Sequence, residues 1–237
     1  MSVQQGPSDT AARPERGRWS KPTLWLGLGL IGAGLAILGW LGWEFFGTNW
    51  VSHRTQARVI ATLHQNWEHD QRITRVSVGG DNRLRASAIV RIPRFGSGYQ
   101  VPVLEGTSDA ALAAGFGHSS GTAAPGGVGN FALAGHRITH GEPLHDMPDL
   151  QVGDRILVQT RTRVFTYVLD TAGDALTVPF TATWVTDPVP TNPDGGIQPP
   201  DRSPNQHLIT LTTCSELFHT DNRLVAFGHL AWTRVVR

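Results

Sequence analysis

An uncharged apolar run near the start of the chain places the strongest constraint on how it folds. Residues 22–43, PTLWLGLGLIGAGLAILGWLGW, contain no Asp, Glu, Lys or Arg. As a helix rising about 1.5 Å per residue, the run spans roughly 30 Å, the hydrocarbon thickness of a bilayer. A cleaved signal peptide has a shorter apolar core, and bulky WEFFGTNW stands where its small-residue cleavage site would lie. We therefore predict a retained transmembrane anchor over residues 22–46.

The charges around this run predict its orientation. Residues 1–21 carry four cationic side chains, Arg13, Arg16, Arg18 and Lys21, against two carboxylates. Cationic residues favour the cytoplasmic side of a membrane, so we expect a single-pass cell-membrane protein with a cytoplasmic tail at 1–21. Everything after the anchor is then extracellular. The formal net charge is only +1, so we expect no nucleic-acid partner.

The chain beyond the anchor changes from a helical to a strand-like pattern. Helical spacing of apolar residues over 49–70 predicts a membrane-proximal helix, and a polar linker is expected over 71–85. Together they form a segment at 47–85. Strands are predicted at 87–94, 100–106, 129–137, 155–160, 163–170, 207–214 and 223–232, with brief helices at 109–115 and 142–147. Many short strands indicate a closed β-barrel or a sandwich over 86–237. A long Pro/Gly/Asp loop at 189–206 is expected to be functional or mobile.

The only cysteine of the chain, Cys214, ends one predicted strand, HLITLTTC. An extracellular structural cysteine normally has a disulfide partner, so a lone one is either an inert core residue or a reactive group. Side chains alternate along a strand, which separates Ile209 and Leu211 from Thr210, Thr212 and Cys214. Because the thiol then belongs to the polar face, we interpret Cys214 as a nucleophile.

Two residues are candidates to support that nucleophile. If the strands ending at Cys214 and beginning at Arg223 form an antiparallel hairpin, the two residues meet at the same rim of the sheet. The guanidinium of Arg223 can stabilise a thiolate or an oxyanion. A thiol nucleophile also needs a proton partner, and His136 ends a small-residue strand that includes Ala132 and Ala134.

The histidines near His136 do not predict a metal centre. His136, His140 and His145 are close in sequence, but Gly141 and Pro143 interrupt any helix on which a His-x3-His pair would converge. We expect no metal or other cofactor, and we interpret His140 and His145 as solvated surface residues.

Taken together, these segments resemble the sortase family. TLTTC (Thr210–Cys214) fits the T-L-x-T-C signature of that family, with Arg223 nine positions after the cysteine. LAGHR (133–137) is similar to its catalytic-histidine segment, and GHSSGTAAPG (117–126) resembles a stretch upstream of that histidine. The resemblance covers roughly residues 86–233. The GHR context and the nine-residue spacing are most like class E sortases of high-GC Gram-positive bacteria.

This resemblance implies an eight-stranded sortase β-barrel and a cysteine transpeptidase. Cys214 is then the nucleophile, His136 the general acid and base, and Arg223 the oxyanion stabiliser. Four further positions are assigned to substrate binding: Ala134, Thr210, Thr212 and Thr213. The implied substrates are secreted proteins with an LPxTG- or LAxTG-like sorting signal, cleaved between Thr and Gly. The implied acceptor is a cell-wall precursor amine, from lipid II or peptidoglycan.

The sequence departs from the family pattern at two places. Ser119 and Ser120 replace an aromatic residue and a proline, and Ser215 and Glu216 follow the cysteine where class E members often have His-Pro. A carboxylate at Glu216 would raise the thiol pKa if it lies close. Three alternatives stay open: a class D-like or pilin-type sortase, an exported cysteine peptidase that only hydrolyses, and a non-catalytic anchored β module.

Overall fold

The computed structural model describes residues 21–43, 47–69, 74–78, 83–200, 205–214 and 221–236, with only the backbone of Thr23 and Cys214. The chain divides into two units, Met1–Gly42 and Trp43–Arg237. The first unit contains helix α1, Lys21–Gly42. Its segment Leu24–Gly42, with a mean hydropathy of 2.0, is the one described helix long and apolar enough to cross a membrane.

The second unit consists mainly of short strands. Its described residues form helix α2, Thr48–Glu68, and one further short α-helix, α3, Asp109–Ala114. Three 3₁₀ turns lie at Pro93–Phe95, Met147–Asp149 and Thr183–Thr186. The strands are β1 Thr74–Ser77, β2 Arg83–Arg91, β3 Val101–Glu105, β4 Phe116–His118, β5 Gly129–Ala134, β6 Arg155–Gln159, β7 Arg163–Leu169, β8 Leu176–Pro179, β9 His207–Cys214 and β10 Asn222–Val235.

Eight of these strands close into a barrel. Hydrogen-bonded neighbours run in the order β2-β3-β4-β5-β9-β10-β7-β6, and β6 pairs back onto β2. The pairs β3–β4 and β5–β9 are parallel, and the other neighbours are antiparallel. Strand β1 adds to β2 and strand β8 adds to β10, both outside the closed path. The eight-stranded barrel expected from the sequence is confirmed.

Alternation along the strands separates the barrel interior from its outer face. Phe131 and Leu133 of β5 and Ile209 and Leu211 of β9 are at most 1% exposed and belong to the central apolar cluster. A second cluster joins the C-terminal half of α2 to the sheet through Val59, Ile60 and Leu63. A third cluster covers the outside of β10, where Val225 and Phe227 pack with Val185. Residues 129–133 of β5, 208–213 of β9 and 224–228 of β10 are therefore buried on both faces.

Two local predictions from the sequence are wrong. Strand β1 lies inside the segment expected to be a polar linker, because Val76 alternates with polar neighbours and enters the cluster beneath α2. Residues 142–147 form turns, followed by the 3₁₀ turn, in place of a helix. Glu142 has a left-handed φ of +37°, which is incompatible with a right-handed helix. The loop at 189–206 is irregular where the structure describes it, at 189–200 and 205–206.

Candidate active site

The register between β9 and β10 brings two candidate residues together. Arg223 is the direct antiparallel partner of Cys214, and Leu224 pairs with Thr213 next to it. Residues directly opposite in an antiparallel pair have Cα atoms about 4.5–5.5 Å apart. The hairpin expected from the sequence therefore exists, with its two ends in the expected register.

The arginine at this position is held against an aromatic ring. The guanidinium carbon of Arg223 lies 3.5 Å from the ring centroid of Phe180, which follows β8. Phe180 is itself 60% exposed, so the cation–π contact lies at the protein surface. This contact was not foreseen, because β8, whose pairing with β10 brings Phe180 to Arg223, was not predicted from the sequence.

The parallel pairing of β5 and β9 brings the histidine to the same edge. Ala134 is the register partner of Thr212, so the carboxyl ends of both strands coincide. Beyond them, Gly135 N–H donates to the Thr212 carbonyl at 3.1 Å. The Thr213 hydroxyl donates to the Gly135 carbonyl at 2.8 Å. His136 therefore follows Gly135, whose N–H and carbonyl are both hydrogen-bonded to the last two residues of β9 before Cys214.

The environment of His136 favours the neutral imidazole. Burial lowers the pKa of His136 from its ordinary value of 6.5, and the nearby charge of His140 lowers that pKa further. Asp109 acts in the opposite direction. The two imidazoles are stacked, with centroids 5.0 Å apart and ring planes at 30°. His140 is therefore a partner of His136, and its interpretation as a solvated surface histidine is wrong.

The loop between His136 and Leu144 is compact. The Leu144 N–H donates back to the His136 carbonyl at 3.0 Å, which fixes the loop at both ends. His140, Gly141 and Glu142 all have positive φ, at +56°, +78° and +37°. Backbone strain of this kind is concentrated at functional sites and is maintained by the surrounding contacts. His145, by contrast, is exposed as expected.

The threonines assigned to substrate binding have their hydroxyls engaged within the protein. Thr210 is fully buried and donates to Asn130 Oδ1 at 2.8 Å. Thr212 donates to the Leu133 carbonyl at 3.4 Å, and Thr213 bonds to Gly135 as described. These bonds join β9 to β5 and to the loop after it. Their contacts indicate a positioning role, while Ala134 is half-buried at the end of β5.

Two of the cavities that the described residues line lie near opposite ends of β10. One, of about 520 Å³, lies beside β8 and is lined by Val178, Trp184 and Asp194 among others. Because Val178 is the register partner of Arg223, this cavity adjoins the Cys214–Arg223 edge. The other, of about 540 Å³, includes Glu105, His118 and Arg163. Arg163 pairs with Val235 at the opposite end of β10, so the second cavity is remote from that edge.

Part of the site lies outside the described residues. Ser215 and Glu216 follow directly after β9, and the expected effect of Glu216 on the thiol pKa stays a prediction. Within the described part of the chain, no three His, Cys, Asp or Glu side chains form a group that could hold a metal ion.

The barrel, the signature cysteine at the end of one strand and the arginine opposite it define a sortase. The family model for the Sortase domain matches residues 90–231, and the chain therefore belongs to the sortase family of cysteine transpeptidases. Sortase SrtE1 of Streptomyces coelicolor is 32% identical over 214 residues, which cover 86% of this chain and 56% of that relative. The match thus spans little more than half the length of SrtE1.

Solved structures agree with this assignment. Sortase E from Streptomyces avermitilis is 40% identical, with a TM-score of 0.55 over 63% of this chain and 90% of that structure. Sortase E1 from Streptomyces coelicolor, solved with a tripeptide in the active site, is 34% identical, with a TM-score of 0.51 over 62% and 89% of the two chains. The expected resemblance to class E is confirmed.

Proposed function

We propose that this chain is a membrane-anchored transpeptidase that uses Cys214, His136 and Arg223. The observation that carries the proposal is the register of β9, which pairs Cys214 with Arg223 on one side and Thr212 with Ala134 on the other. That register brings the backbone of all three residues to one edge of the barrel. The family membership and the class E relatives support the same chemistry.

In the proposed first half-reaction, the Cys214 thiolate attacks the carbonyl between Thr and Gly of a sorting signal. A C–S bond forms, and the Arg223 guanidinium stabilises the charge on the oxyanion. His136 in its protonated form donates a proton to the leaving glycine amine as the C–N bond breaks. The product is a thioester and a released C-terminal peptide.

In the second half-reaction, an incoming amine attacks the thioester carbonyl. His136, now neutral, accepts the proton that the amine loses, and collapse of the tetrahedral intermediate restores the thiolate. A new amide bond forms as the C–S bond breaks, so the two half-reactions together need no oxidant, metal or nucleotide.

The substrates proposed are secreted proteins with LAxTG- or LPxTG-like signals, and the acceptor is a cell-wall amine from lipid II or peptidoglycan. The resemblance to class E favours LAxTG. The helix Leu24–Gly42 is proposed as the anchor, with the N-terminus in the cytoplasm and the barrel outside.

The decisive experiment separates transfer from hydrolysis. The full chain in detergent is incubated with paired LAxTG and LPxTG peptides, with and without triglycine, and the products are identified by mass spectrometry. We expect an amide product when the amine is present. Release of the free acid alone, at an unchanged rate, would instead identify a peptidase that only hydrolyses.

The environment of His136 predicts a pH effect. The lowered pKa favours neutral His136 in the resting enzyme, and the thiolate and imidazolium then form together by transfer of the thiol proton. Protonation of His136 from solvent blocks that transfer, so activity is lost as pH falls through its pKa, and the acid limb of the kcat/KM profile should have its midpoint below pH 6.5. His140→Asn removes the nearby charge that lowers this pKa, so the midpoint should move upward. Asparagine tolerates the left-handed φ of this position. His145→Asn is the matched control in the same loop, and an equal shift in both variants would contradict the assignment.

The bond from Thr213 to Gly135 predicts a defect in both stability and activity. Thr213→Val keeps the shape but leaves a buried carbonyl without its donor, which should lower the free energy of unfolding by about 1–2 kcal/mol. We also expect kcat to fall, because the backbone at Gly135, directly before His136, loses a hydrogen bond that holds it to β9. Thr171→Val is the control, since Thr171 is also buried and bonds Phe227 N–H elsewhere on the barrel. An equal effect of both variants on kcat would rule out a special role for Thr213.

A further inference from the structure

Helix α2 buries two different kinds of surface along its length. Its C-terminal half packs apolar side chains, Val59, Ile60 and Leu63, under the sheet. Its N-terminal half instead buries polar residues, with Ser52 and Gln56 each 4% exposed. Polar side chains are rarely buried without a partner surface that requires them. The N-terminal half therefore contacts a feature different from the apolar core.

That feature is the loop after His136. Asn49 Nδ2 donates to the Ile138 carbonyl at 3.3 Å. The N–H of Gly141 in turn donates to Asn49 Oδ1 at 2.8 Å. One amide side chain therefore satisfies a donor and an acceptor on the two sides of His140. Gly141 is buried, so its N–H would lose water and gain no partner without Asn49.

A side chain added at Gly141 would meet helix α2 and require its neighbours to shift. A Cβ atom at this position would lie 2.5 Å from Gln56 Nε2 and 3.1 Å from the Ser52 Cβ. Gln56 Nε2 is itself buried, with no hydrogen-bond partner among the described residues. An unsatisfied buried amide destabilises a fold. A loss of folding stability of this kind is expected where a contact serves function.

The same loop carries the strained residues of the site. His140, whose ring stacks on His136, lies immediately before Gly141, and both have left-handed backbones. Glycine adopts this conformation freely, whereas a histidine in it is maintained by the surrounding contacts. The bonds from Asn49 to Ile138 and Gly141 are the contacts that bracket it.

We infer that Asn49 is a positioning residue for His136, through which the first turns of α2 hold the loop 136–144 in its active conformation. The membrane-proximal helix is then a working part of the enzyme as well as a connection to the anchor. This inference rests on the proposed function, because it assumes that His136 transfers the proton. A catalytic fragment that begins after Asn49 would lack this contact.

The test compares two asparagines of the same helix in the full chain. Asn49→Ala removes both bonds to the loop, and we expect kcat to fall about tenfold with KM changed less than about twofold. Asn66→Ala is the matched control, because Asn66 bonds Thr74 at the other end of α2. Its kcat should stay within about twofold of the native value. Equal kcat values for the two variants would overturn the inference.

A pair of glycine variants tests the packing independently. Gly141→Ala and Gly153→Ala place a Cβ at similar left-handed φ values, +78° and +91°, but only the first meets neighbouring atoms. The difference in kcat between the two variants therefore reports the contact with α2 separately from the strain of a Cβ at positive φ. We expect a lower kcat for Gly141→Ala alone, and equal loss in both variants would count against the inference.

Hydrogen exchange gives a readout that does not depend on activity. In Asn49→Ala, a peptide covering 136–146 should exchange faster than in Asn66→Ala, since the Gly141 N–H has lost its acceptor. His136→Ala is measured beside them. If that variant keeps native activity, the proposed function fails, and the role of Asn49 in holding the loop is judged by exchange alone. Unchanged exchange in Asn49→Ala would then overturn it.

Discussion

Replacement of Cys214 by alanine is expected to reduce cleavage of a sorting-signal peptide by at least about 10⁴-fold, because no other thiol in the chain can form the thioester. The measurement is single-turnover cleavage of an LAxTG peptide, with mass spectrometry of the intact protein to detect the acyl adduct. The native chain should show the adduct when the amine is withheld, and the variant should not.

The control for this experiment is the folded state of the variant. Cys214 is the last residue of β9, so the apolar core should be retained and the melting temperature should change by only a few degrees. Cleavage within about tenfold of the native rate, in a variant that melts normally, would eliminate the thiol mechanism and leave a non-catalytic or differently organised protein.

The second large effect is expected from Arg223→Lys. Lysine keeps the positive charge but loses the planar fork of donors, so kcat/KM should fall about 10²–10³-fold. The contact with Phe180 contributes to this expectation, because a planar guanidinium stacks on the ring in a way that an ammonium group does not reproduce.

Arg234→Lys is the matched control, since Arg234 lies near the far end of the same strand and is exposed. It should retain nearly native activity. Phe180→Leu tests the orientation of the Arg223 guanidinium separately from its charge. It leaves Arg223 in place but removes the ring, so we expect a loss of kcat/KM that is smaller than that of Arg223→Lys. If Arg223→Lys turns over at the native rate, Arg223 is not the oxyanion stabiliser.

The sequence predicted the long strands of this fold because their patterns are strong. HLITLTTC matches β9 residue for residue, and the short connection to Arg223 was enough to predict the hairpin. The three missed strands are β1, β4 and β8, each only three or four residues long. Over so few residues, alternation does not differ from chance, and pairing with neighbouring strands determines the structure.

The site was predictable to the extent that its residues lie at strand ends. Cys214, Arg223 and His136 each end, begin or follow a recognisable strand, which is why their common edge could be inferred. The bonds from Asn49 could not be inferred, because they join segments about ninety residues apart. The stacking of His140 on His136 is local, but it accompanies a left-handed backbone at His140 that the sequence pattern did not indicate. No periodic signal in the sequence reports such contacts.

The pairing around Cys214 and Arg223 also restricts how a peptide can be recognised. At this edge β9 lies between β5 and β10, while β10 lies between β9 and β8. Both sides of β9 and of the start of β10 are thus occupied, so an extended peptide cannot pair with either of the two strands that carry Cys214 and Arg223. Among the described residues β8 pairs only with β10, so the outer side of β8 is the one strand side at this end that a peptide backbone could join. Inhibitors of this enzyme should therefore either pair with β8 or lie across β9 and β10, held by side chains and loops.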